Sequence, residues 1–166
     1  VGSGSQLTIS GGSVEADGVG ANGVFSTGEG SSVTLSDMTI TAVGDGAHAV
    51  MGTLGGTMIL NNVDMNTTAV HSGAIATDRG SGTITATGGT VTTSGADSPG
   101  IYSTGKITVN DATVTSTGAE VAVIEGANSI TLNNSKLTSS MADKWGVMIY
   151  QSFSGDAEGT EGTFTM

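Results

Sequence analysis

An internal repeat dominates this chain. Six times, a short apolar–x–apolar strand, usually with Thr at x, is followed seven residues later by a second buried position and sixteen or seventeen residues later by a third. The first column reads Leu7, Val33, Met58, Ile84, Ile107 and Ile130. The second reads Val14, Ile40, Met65, Val91, Val114 and Leu137, and the third Val24, Val50, Ile75, Ile101, Val123 and Val147. Self-similarity at such a period marks an array whose units bury their apolar sides against one another. Within each first strand the two apolar residues face inward and the residue between them outward, the period of a half-buried strand. Three strands joined by non-hairpin corners of unequal length cannot pair within one unit. They pair with the same strands of the next unit, which gives parallel sheets around one narrow core. The pattern therefore predicts an all-β parallel β-helix with three strands per coil and three sheets. It has about six coils of 23–26 residues, and Thr163, Phe164, Thr165 and Met166 begin a seventh. At one inter-strand step per coil, six coils make a rod of roughly 30 Å.

Each first strand ends in a corner pair, such as Ser36-Asp37, Asn61-Asn62, Asn110-Asp111 or Asn133-Asn134. Asn, Asp and Gly tolerate the left-handed backbone that a sharp corner needs. Asparagines stacked in one column are expected to hydrogen-bond along the axis. Ala49, Ala74, Gly100, Ala122 and Gly146 recur just before the third buried position, where the coil turns tightly.

Composition fits an array better than an ordinary globule. Only 4% of residues are aromatic and 11% charged, while 28 are glycine; a typical domain carries more aromatic and charged residues. Disorder is excluded because 36% of the chain is apolar and falls in register. The net charge is −11, with Arg79, Lys106, Lys136 and Lys144 as the only cations. Nucleic acid is excluded as a partner, since phosphate neutralisation needs clustered Lys and Arg. An anionic membrane surface is excluded for the same reason. There is no cysteine, hence no disulfide. No apolar run of about 18 residues is present, so this segment does not insert into a membrane. The whole of 1–166 reads as one β-helix segment, expected to belong to a longer chain or assembly. Its ends would be covered by flanking coils or by another copy of itself, end to end or side by side. Residues 151–162 interrupt the sixth unit as an acidic, Gly-rich insertion with Asp156, Glu158 and Glu161. Insertions in solenoids land on the surface and often carry function.

The strand-and-corner units ITVND, VTLSD and ITLNN, the third strands GVFST and GIYST, and the acidic, Cys-free composition resemble the right-handed parallel β-helix class. Two groups are similar: the pectin-lyase-like superfamily and the passenger domains of autotransporter-type bacterial surface proteins. The resemblance implies a right-handed coil and an extracellular or cell-surface location. It carries across no catalytic motif.

Polysaccharide lyases and hydrolases need converging carboxylates, with a Lys or Arg base for the lyases. Here the carboxylates fall in different columns, and Asp37 and Asp111 share a corner column three coils apart. His48 and His71 occupy the same loop of neighbouring coils, with Asp45 and Asp97 nearby in sequence, but their columns do not match as a metal site would require. No Gly-x-Ser-x-Gly elbow appears, and no Gly-x-Gly stretch opens a helix. No catalytic residue, cofactor or metal is therefore expected. The outward pairs Thr39/Thr41, Thr90/Thr92 and Thr113/Thr115 form a ladder of the kind seen on ice-binding solenoids, or simply a good strand surface. Phe25, Tyr102, Trp145, Tyr150 and Phe153 are the candidates for contact with a ligand or partner, host or environmental glycans among them. The expected function is a non-catalytic structural or adhesive stalk that stacks end to end into a filament. The alternative is a β-helix that binds or cleaves glycans.

Overall fold

A computed structural model describes residues 1–151 and 157–166. Among them there is no helix, and the strands stack in parallel into a solenoid of about six turns, as the repeat predicts. Equivalent residues sit beside each other from coil to coil. Leu7 pairs with Val33, Val33 with Met58, Met58 with Ile84, Ile84 with Ile107, and Ile107 with Ile130. Ile130 then pairs with Phe164, so Thr163–Thr165 does begin a further turn. Val33, Met58, Ile84, Ile107 and Ile130 are at most 1% exposed. Burying each such side chain is worth about 1.5–3 kcal/mol relative to leaving it in water.

The pattern predicts three sheets, whereas hydrogen bonding makes two. The first and second strand columns belong to one 11-stranded sheet, and the third column forms a 6-stranded sheet. In the second and third coils the first two strands fuse into Ser32–Ala42 and Thr57–Thr67. Asp37 and Asn62 turn the corner within them at φ of 53° and 52°, and the ladder resumes at once with Met38 beside Val63. The expected axial hydrogen bonds run along these corners. Asn62 Nδ2 donates to Asp37 Oδ1 at 2.8 Å, Asn133 Nδ2 to Asn110 Oδ1 at 2.8 Å, and Asn134 Nδ2 to Asp111 Oδ1 at 2.7 Å.

Two further departures concern the third strand. Its second inward row is polar in three coils, with Ser26, Thr77 and Ser103 fully buried. Those hydroxyls are satisfied locally: Ser103 Oγ donates to the carbonyls of Gly105 and Ser129, and the Thr104 amide donates to Thr77 Oγ1. In the fifth coil the inward residue paired with Ile101 is Ala122, not Val123. Val123 pairs with Tyr102 and faces outward, and Ile124 takes the polar row's place in the core. The loop before this strand is shorter than in the preceding coils, and a one-residue change of frame exchanges the two faces of a strand.

Candidate functional site

The outward face of the third sheet carries a cleft. One row along it runs Phe25, Met51, Ala76, Tyr102, Val123 and Met148, each beside the next. Small residues at Gly73 and Ala76 leave the face low between Met51 and Tyr102. A cleft of about 430 Å³ opens there, within the range of small-ligand sites. Its walls are apolar at Met51, Pro99, Val123 and Met148, and polar groups enter from the preceding loops and from the strand ends.

At one end the Tyr102 hydroxyl donates to Glu125 Oε2, and the Tyr150 hydroxyl donates to the same oxygen at 3.2 Å. Glu125 is 1% exposed and lies beside Tyr150 across the strand pair. Burial, then the hydrogen bond to Glu125, pushes the Tyr102 hydroxyl far above its ordinary range. On one flank His48 Nδ1 lies 2.7 Å from the Gly73 carbonyl. Burial holds its pKa below the ordinary value, so the neutral ring carries its proton on Nδ1 toward that carbonyl and leaves Nε2 as an acceptor.

The other flank is a charge cluster. His71 and Asp97 both turn their loops in left-handed conformations, at φ of 54° and 52°. His71 Nε2 lies 3.9 Å from Asp97 Oδ2, and Lys144 Nζ donates to Asp97 Oδ1 at 2.9 Å. That hydrogen bond holds the Asp97 carboxyl below its usual range and raises Lys144. Lys144 Nζ also stands 4.0 Å from Glu120 Oε2, beyond hydrogen-bond reach. Glu120 is 4% exposed, and its other oxygen, Oε1, has no hydrogen-bond partner. Asp78 lines the cleft with Arg79 Nε at 3.5 Å.

Of the aromatic candidates, Tyr102 and Tyr150 meet on Glu125 in this cleft. Phe25 shares the row of Tyr102 beyond Met51 at 36% exposure, and Trp145 stands 63% exposed in the loop before Val147–Tyr150. Phe153 lies outside the described residues, as does Asp156 of the insertion. Glu158 accepts the Ala127 amide through its carbonyl at 2.9 Å, which ties the insertion to the fifth coil. Thr90 and Thr92 adjoin Thr113 and Thr115, but Thr39 and Thr41 meet Asp64 and Asn66, and Thr113 meets Lys136. A longer ladder runs on the first strand, through Thr8, Thr34, Thr85, Thr108, Thr131 and Thr165, broken by Ile59. Among the described residues no group of three or more His, Cys, Asp or Glu is placed to hold a metal ion.

Sequence reasoning missed Glu120 and Glu125. Aligning the fifth unit on Val123 turned its outward and inward positions over. The usable signal was the length of the loop from Val114 to the third strand, against that from Val91 to Ile101.

The fold and the cleft together define the class: a parallel β-solenoid with a ligand-sized cleft on its third-strand face. The chain matches no family model, no curated protein and no solved structure.

Proposed function

We propose that this chain is a non-catalytic binding segment of a bacterial cell-surface or secreted protein, akin to autotransporter passengers or pectin-lyase-like solenoids, and that its cleft holds a glycan. The cleft is the observation that carries this reading. It combines ring faces suited to sugar C–H surfaces with carboxylate acceptors and a histidine acceptor suited to hydroxyl donors. The stack supplies stiffness, because each coil is bonded to the next along both sheets. Lateral or end-to-end association with further copies is compatible with it.

A glycan array followed by titration of the best ligand tests the reading. Binding is expected to weaken at least tenfold in Tyr102→Ala and to survive in Trp145→Ala, which does not line the cleft. Binding indifferent to Tyr102→Ala would move the site elsewhere, and release of sugar from the bound polymer would replace binding with catalysis.

A further inference from the structure

We infer that the ligand of this cleft carries a primary ammonium group, which takes the place of Lys144 Nζ between Glu120 and Asp97. The inference rests on the glycan-binding reading and narrows it to amino sugars with a free amine. Glu120 is a carboxylate almost wholly removed from water, and its Oε1 accepts no hydrogen bond. A buried acceptor without a donor is unfavourable, and a buried charge without a close partner more so. The one cation at hand serves it poorly. Lys144 Nζ spends its hydrogen bond on Asp97 and stays 4.0 Å from Glu120 Oε2. Lys144 is also partly exposed, at 28% of its side-chain surface, so it can swing into water at small loss.

A ligand ammonium has three donors on a compact centre. Seated between the two carboxylates, nearer Glu120 than Lys144 Nζ now stands, it can donate to Glu120 and Asp97 together, and the charge of the cluster is unchanged by the exchange. An acetamide in the same place offers one donor and no charge, and leaves Glu120 uncompensated once Lys144 has moved. The surroundings fit an amine on a sugar ring. Tyr102, Val123 and Met148 give apolar walls, and His48 Nε2 is an acceptor for a hydroxyl. No covalent step is involved.

The test compares the glucosamine tetramer, the N-acetylglucosamine tetramer and 1,4-diaminobutane by calorimetry, with NMR shifts locating each probe. The glucosamine tetramer is expected to bind in the cleft at least tenfold more tightly than its acetylated counterpart. Glu120→Gln should remove that preference. Lys144→Ala should tighten the glucosamine tetramer two- to fivefold, because a resident competitor is gone; a misfolded variant cannot produce that gain. Equal binding of both tetramers, or weaker glucosamine binding in Lys144→Ala, overturns the ammonium inference and leaves the glycan reading standing. Diaminobutane binding in the cleft without either tetramer keeps the ammonium site and overturns the narrowing to amino sugars. Failure of all three probes to bind there overturns the ammonium inference, and a neutral glycan from the array that binds in the cleft would leave the glycan reading standing.

Discussion

Asn62 shows what one residue does in this stack. It turns the corner at φ of 52° and at the same time donates Nδ2 to Asp37 Oδ1 of the coil before it. Glycine supplies the backbone freedom without the amide, and alanine supplies neither. Asn62→Gly is therefore expected to lower stability by less than about 1 kcal/mol, and Asn62→Ala by about 1–2 kcal/mol, in urea denaturation. An equal loss in both would mean that the side-chain ladder, not the backbone conformation, is what the position requires. The loop glycines work under a different constraint. A Cβ on Gly95 would stand 1.7 Å from the Ala69 carbonyl oxygen, and one on Gly118 2.1 Å from that of Gly95. There the coils approach so closely that backbone lies on backbone.

Among the elements, Ala122–Glu125 is the one whose frame decides the site. Because Ile124 is inward and Val123 outward, Ile124→Ala should cost about 2–5 kcal/mol by denaturation. Val123→Thr, at a cleft wall and only 4% exposed, should cost less, about 1–2 kcal/mol. The opposite order would restore the frame read from spacing alone. That spacing made most of the architecture legible: strand columns, register, corner residues and the start of a seventh turn all follow from period-two patterning and repeated corner chemistry. Tyr102 was legible as an outward aromatic for the same reason. Glu120 and Glu125 were not, because a shortened loop shifts phase without changing residue type, and Val-Ala-Val-Ile is apolar in either frame. Nor did the sequence distinguish two sheets from three. Whether a ladder continues through a corner depends on backbone direction at Asp37 and Asn62, which residue type permits but does not dictate.

The whole molecule carries a net charge of −11, and His48 couples its stability to mild acid. Burial holds His48 below its ordinary 6.5. Under that pH an unfolded chain protonates this ring while the folded chain resists. The unfolded state then binds more protons, and stability falls as pH drops from 6.5 toward the lowered value. Asp97, held below 3.8 by the Lys144 hydrogen bond, adds a loss only when pH falls under 3.8. The urea midpoint is expected to decline as pH falls below about 6.5, and His48→Gln should flatten that decline. An unaltered slope in the variant would assign the transition to another group.

The cleft draws its lining from five successive coils, from His48 and Met51 through His71, Pro99 and Glu120 to Lys144 and Tyr150. Apart from the Lys144–Asp97 hydrogen bond, which skips a coil, the backbone ladders join each coil to its immediate neighbours, so a pull along the axis would part the stack at its weakest seam. A molecule lodged in the cleft reaches over several seams at once and would have to be broken or expelled before they open. Occupancy would thus reinforce the rod against tension, and a stretched rod would hold its ligand less firmly.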